Sequence, residues 1–128
     1  MKCRLSINRS KFEISSIKEL ETAWEQTADK QFREIWMEAQ NGPKLCVLCS
    51  GNIGWLMYLP KDSEIGWSSW NSAYRGNINE MVQYRLVNGQ VDEYSAEWAL
   101  PENDLILAVG YFVEFGDRSP LIQWRRDD

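Results

Sequence analysis

The sequence predicts an α+β fold with a mostly antiparallel sheet and two main helices. Two segments have apolar residues at helical spacing, one in each half of the chain, and between them lie short apolar segments separated by turn residues. A run of strands between two helices favours an antiparallel sheet over a sheet of alternating strands and helices. At 128 residues the chain is expected to be a single domain, residues 1–128.

The first predicted elements are a strand and a helix. The segment CRLSI, residues 3–7, alternates between apolar and polar side chains and predicts a strand. Ser16 and Glu19 have the spacing of a capping box, a pair that begins a helix. The apolar residues that follow at helical spacing are Ile17, Leu20, Trp24 and Ala28.

The segment QFREIWMEAQ, residues 31–40, fits either a helix or a strand. As a helix it would gather its apolar residues on one side. As a strand it would place Phe32, Glu34, Trp36 and Glu38 on one face and Ile35, Met37 and Ala39 on the other. We favour the strand, because the turn signal Asn41-Gly42 then forms a hairpin with the apolar segment KLCVLCS.

Further strands are predicted in the middle of the chain. A turn at residues 50–52 leads into IGWLMYLP, which Pro60 ends, and EIGWSSWNSAYRG indicates a short strand followed by a loop. The segments EMVQYRLV and QVDEY flank Asn88-Gly89 and predict a second hairpin.

The second main helix is predicted near the C-terminal end. Pro101 is expected to be its first residue, since proline is favoured there. Its apolar stripe is Leu105, Ala108, Val109 and Phe112, and Gly116 is expected to end it. A last strand is expected at LIQW, after Pro120.

The net charge of −5 bears on possible partners. A surface of this sign repels phosphate backbones, so we expect no nucleic acid among the partners. It attracts basic proteins and speeds their association. No apolar run is long enough to span a bilayer, no signal-peptide pattern is present, and the three cysteines suggest reduced thiols. We therefore expect a cytoplasmic protein without a membrane partner.

Catalytic and metal sites are not expected. The chain has no histidine, so a serine or cysteine nucleophile would lack its usual base. Cys46 and Cys49 have the spacing of a zinc or redox pair, but no second pair is present to complete a zinc site. In a strand these two side chains would point to opposite faces, so we expect them to be core residues. We predict no enzyme activity, no cofactor and no bound metal.

Aromatic and acidic residues alternate in and near the predicted loops. Aromatic side chains are frequent anchors in protein interfaces, and a rim of one charge sign gives selectivity. We expect these residues to form an acidic protein-binding face. The candidate contacts are Asp62, Glu64, Trp67, Trp70, Asp92, Glu93 and Glu97.

Three stretches resemble immunity protein family one of bacterial polymorphic-toxin and contact-dependent inhibition systems. They are GPKLCVLCSGNIGWLMYLPKDSEIGWSSWN, LVNGQVDEYSAEWALP and AVGYFVEFGDRSPLIQW, in the family's order and spacing, and the similarity covers roughly residues 20–124. The resemblance implies a small α+β protein without catalytic activity that binds the toxin domain encoded beside it. It also implies a nucleic-acid-modifying toxin, a deaminase or a nuclease, whose active site or substrate path is blocked.

Within this family pattern Trp98 is expected to pack the junction between the second hairpin and the second helix, which makes it part of the scaffold. Asp92, Glu93 and Glu97 are then the exposed part of that stretch. The alternative function is a small adaptor or chaperone that uses the same acidic-aromatic face on another protein. The oligomeric state is not predicted.

Overall fold

The computed structural model describes residues 2–128, which form ten strands, two α-helices and one 3₁₀ turn. In chain order the elements are β1 (Cys3–Ile7), β2 (Ser10–Ile14), α1 (Ile17–Glu25), β3 (Phe32–Ala39), β4 (Lys44–Ser50), β5 (Ile53–Leu59), β6 (Trp67–Trp70), β7 (Met81–Arg85), β8 (Val91–Ser95), the 3₁₀ turn (Ala96–Trp98), β9 (Leu100–Pro101), α2 (Glu102–Phe115) and β10 (Gln123–Arg126). The predicted α+β class with a mostly antiparallel sheet is confirmed.

The main sheet has the strand order β10-β6-β5-β4-β3-β1-β2, with the short β9 paired to β5, and every pairing is antiparallel. Strands β7 and β8 form a separate hairpin. Both helices pack on one face of the main sheet, and the hairpin packs on the other. We call these the helix side and the hairpin side of the sheet.

Helix α1 begins as predicted but ends earlier. The Ser16 hydroxyl accepts the backbone N–H of Glu19 at 3.2 Å, which is the first half of the capping box. The helix ends at Glu25, so Ala28 lies outside it and is exposed. Ile17 is 40% exposed, and the buried residues of the helix are Leu20, Ala23 and Trp24. The predicted stripe is therefore wrong at Ala28, whereas Ile17 lies beside Gly110 of α2 and is only partly covered.

The ambiguous segment is a strand. Residues 32–39 form β3, which pairs with β4 through the predicted hairpin and with β1 on its other side. Its exposure alternates as the strand pattern predicted, with Ile35, Met37 and Ala39 buried on the helix side. Strands β1 and β4 thus supply hydrogen-bond partners for both edges of the β3 backbone.

Helix α2 supplies much of the main core. All four residues of its predicted stripe are buried, and Gly116 ends the helix in the left-handed conformation with φ of 65°. Pro101 is not the first helical residue as predicted. Its backbone is extended and pairs with β5, so the helix begins one residue later, at Glu102.

A second core lies between the main sheet and the β7–β8 hairpin. Its buried members are Cys46, Leu48, Trp55 and Tyr84. The rings of Trp55 and Tyr94 stack with centroids 4.3 Å apart, which attaches the hairpin to β5.

Cys46 and Cys49 lie on opposite faces of β4, as the strand pattern predicted. Both are buried free thiols, Cys46 in the second core and Cys49 in the main core. Burial raises the pKa of Cys49 to about 11 and raises that of Cys46 further.

We expect both thiols to react slowly with thiol reagents in the native protein. An exposed cysteine ionises near pH 8.5, whereas these two stay protonated at that pH because burial disfavours the thiolate. Labelling followed between pH 7 and pH 9 should stay slow throughout and become fast only in denaturant. Fast native labelling, or a Cys46–Cys49 disulfide after mild oxidation, would contradict the structure.

A buried arginine joins the two helices to the sheet. The Arg33 side chain on β3 is almost wholly buried, with Nη2 lying 3.7 Å from the Glu102 carboxylate at the start of α2. Its guanidinium lies 4.9 Å from the centre of the Trp24 ring, and the Trp24 indole N–H donates to Glu102 at 2.9 Å. Arg33, Trp24 and Glu102 thus form one contact between β3, α1 and α2.

Candidate partner-binding surfaces

The seven predicted contact residues do not share one surface. Trp67 and Trp70 are three positions apart in β6, so their side chains point to opposite faces of the sheet. Trp67 packs against the main core on the helix side, and the Arg118 guanidinium lies 3.8 Å from the centre of its ring. Trp70 lies on the hairpin side. The prediction of a single acidic-aromatic face is therefore wrong, although each residue remains a candidate contact.

Trp70 and Glu97 are brought together on the hairpin side. The Trp70 indole N–H donates to the Glu97 carboxylate at 2.8 Å, while the ring is 38% exposed. These residues line an open groove of about 420 Å³ together with Ser95, Trp98 and Arg125. The hydrogen bond to the Glu97 carboxylate thus holds the Trp70 indole in one orientation.

Trp98 is half-buried and forms part of the wall of this groove. Its ring packs on the second core with its centroid 6.2 Å from that of Tyr94, and the Arg125 guanidinium lies 4.8 Å from its centre. Its backbone carbonyl accepts the hydroxyl of Ser69 at 2.7 Å, which connects the 3₁₀ turn to β6. These contacts agree with the predicted scaffold role.

Asp92 and Glu93 lie on the two faces of the hairpin. The half-buried Asp92 accepts hydrogen bonds from Gln90 at 2.6 Å and from the hydroxyl of Tyr94 at 3.3 Å. Burial, and secondarily the Asp92 charge, raise the pKa of Tyr94. Glu93 is exposed on the outer face, where Gln83 donates to it at 3.1 Å. Both carboxylates are thus engaged within the hairpin.

Asp62 and Glu64 lie in the loop between β5 and β6. Both are exposed, and Asp62 has a left-handed backbone with φ of 61°. The open pocket that they line also includes Lys44 and Lys61. The loop therefore offers a mixture of charges rather than an acidic patch.

An apolar stripe on the outer side of α2 was not predicted from the sequence. Leu107, Tyr111 and Phe115 follow one another at four-residue spacing, opposite the buried stripe, and Leu107 and Phe115 are 50% and 51% exposed. The rings of Tyr111 and Phe115 are in contact, with centroids 4.6 Å apart. A signal for this stripe was present in the sequence: LILAVGYF is apolar on every side of a helix, which indicates a second face with a partner.

The negative charge of the protein is concentrated on the helices. Helices α1 and α2 contain six acidic residues and one lysine, a net charge of −5, which leaves 13 basic and 13 acidic residues in the rest of the chain. Glu102 is turned towards Arg33. Glu21 and Glu25 border the groove between the helices beside Ile106, whereas Asp104 and Glu114 lie on α2.

We call this surface the helix face and define it by two sets of residues. The apolar set is Leu107, Tyr111 and Phe115, and the acidic set is Glu21, Glu25, Asp104 and Glu114. Chemically it can bury apolar side chains of a partner while its carboxylates pair with lysine or arginine at the edge.

Within residues 2–128, no group of three or more cysteine, aspartate or glutamate side chains is placed to hold a metal ion. Over the same residues, no helix has both the length and the apolar character needed to cross a membrane. Comparison of the sequence with models of protein families and with curated proteins gives no match.

Proposed function

We propose that this protein is an immunity protein that binds a cognate toxin domain and neutralises it by blocking its active site or substrate path. It acts without catalysis or a cofactor, in the cytoplasm, where the toxin would reach its target. The similarity of three sequence stretches to immunity protein family one supplies the class. The distribution of charge over the fold supplies separate support.

The observation that carries the proposal is the position of the net charge. The two helices carry a net charge of −5 and the rest of the chain is neutral. Four of the helix carboxylates, those of Glu21, Glu25, Asp104 and Glu114, belong to the helix face with its exposed apolar side chains. A toxin that modifies nucleic acid, a deaminase or a nuclease, needs a basic surface to hold phosphates. An acidic face on the immunity protein can occupy that basic surface, and so exclude the substrate.

A binding protein of this kind also has to capture its toxin quickly. Complementary charges raise association rates well above those of neutral protein pairs, because the long-range field orients the partners before contact. Charge gathered on one layer gives a directed field, which the same charge spread evenly would not give.

The proposal is tested with the toxin domain encoded by the neighbouring gene. The two proteins should co-purify, and toxin activity on its nucleic acid should fall to background at one equivalent of the immunity protein. Cells that express both should survive, while a toxin domain of another class should be neither bound nor inhibited. Binding without inhibition would contradict neutralisation and favour an adaptor.

A further inference from the structure

We infer that the helix face, and not the hairpin side, is the surface that docks the partner, and that the partner presents an apolar groove bordered by lysine and arginine. This inference rests on the proposed function and deepens it by naming the surface and the chemistry that it recognises.

The first argument is the geometry of the apolar stripe. Leu107, Tyr111 and Phe115 lie eight residues apart from first to last, which is about 12 Å along a helix. Side chains at this spacing are the usual anchors when a helix docks into an apolar groove of a partner. The contact between Tyr111 and Phe115 restricts both rings before binding, so less conformational entropy is lost in the complex.

The second argument is the state of the carboxylates. None of the four acidic residues of the helix face takes part in a salt bridge within residues 2–128. On the hairpin side the carboxylates are engaged: Glu97 holds the indole of Trp70, Asp92 accepts from Tyr94 and Gln90, and Glu93 accepts from Gln83. The negative charges of the helix face can therefore pair with a partner without breaking a salt bridge of this protein.

The third argument concerns what else could cover the stripe. A second copy of this chain would bring two acidic helix faces together, and their charges would repel. A nucleic acid would meet the same repulsion from its phosphates. A basic protein surface is the occupant that satisfies both the apolar stripe and its acidic border.

The experiment compares matched variants on the two sides of the sheet. Leu107→Ala and Tyr111→Ala remove side chains from the helix face, and Trp70→Ala and Trp36→Ala remove exposed rings from the hairpin side. Binding is measured by surface plasmon resonance, with the inactivated toxin domain of the neighbouring gene as the probe. Melting curves establish that each variant is folded, and a Leu107→Gln variant, which keeps a good helix former at this position, replaces any helix-face variant that is not.

We expect Tyr111→Ala to weaken binding by about 30-fold or more, the change that marks an interface hot spot, and Leu107→Ala by about tenfold. The hairpin-side variants should stay within about threefold of the original protein. Loss of binding in Trp70→Ala with normal binding in both helix-face variants would overturn the inference and leave the proposed function intact. Failure of the unmodified protein to bind would instead contradict the proposed function. Self-association in sedimentation experiments, abolished by Tyr111→Ala, would identify a second copy as the occupant and overturn the inference.

Discussion

Replacing Glu102 with alanine is expected to lower the free energy of unfolding by about 3 kcal/mol, because it leaves the buried Arg33 charge without its partner. Arg33 is 2% exposed, and the Glu102 carboxylate is its salt-bridge partner within residues 2–128. The same change removes the acceptor of the Trp24 indole N–H. Unfolding in urea, followed by tryptophan fluorescence, measures the loss.

Two further variants separate charge from hydrogen bonding. Glu102→Gln keeps an acceptor for Trp24 but removes the negative charge, so it should recover only part of the loss. Asp104 lies in the same first turn and forms no salt bridge within residues 2–128. We therefore expect Asp104→Ala to change the free energy of unfolding by less than about 1 kcal/mol. The double variant Arg33→Met with Glu102→Ala should be more stable than Glu102→Ala alone, since no unpaired charge remains. Equal stability of Glu102→Ala and Asp104→Ala would contradict this role of the ion pair.

Trp55→Ala is expected to cost about 3–5 kcal/mol, the range for loss of a large buried aromatic ring. Trp55 is 6% exposed and stacks on Tyr94, so its removal opens a cavity in the second core and detaches one side of the β7–β8 hairpin. Calorimetric unfolding gives the change in stability. Trp36→Ala is the control on the same side of the sheet: its ring is 41% exposed, and we expect a loss of about 1 kcal/mol. A loss of stability for Trp55→Ala as small as that for Trp36→Ala would show that the second core contributes little to stability.

Most of the elements could be predicted because their signals are local. The turn signals, the alternation in β3, the cap at Ser16 and the buried stripe of α2 each depend on residues within one short segment. The position of Arg33 could not be predicted in this way. Its partner Glu102 is 69 residues later in the chain, and only the folded sheet brings the two together.

The grouping of the candidate contacts on one face was wrong, although part of the information needed to see this was in the sequence. The alternation rule that separated Cys46 from Cys49 applies equally to Trp67 and Trp70, and it would have placed these rings on opposite faces. The charges of the two predicted helices could also have been added together. Grouping the residues by their proximity along the chain led instead to those in the loops. Such proximity does not show which residues share a face.

The dependence of the association rate on salt tests the central claim most directly. If the acidic helix face guides a basic toxin domain, the association rate constant should fall steeply as salt screens the field, whose range shrinks from about 10 Å at 0.1 M to about 3 Å at 1 M. A variant with Glu21→Gln, Glu25→Gln and Glu114→Gln should associate more slowly and show a shallower dependence. The matched hairpin-side variant also removes three charges, through Asp92→Asn, Glu93→Gln and Glu97→Gln, and should keep the original dependence. A rate constant that stays flat from low to high salt, or the same slope for the helix-face variant and the original protein, would contradict recognition through the helix face.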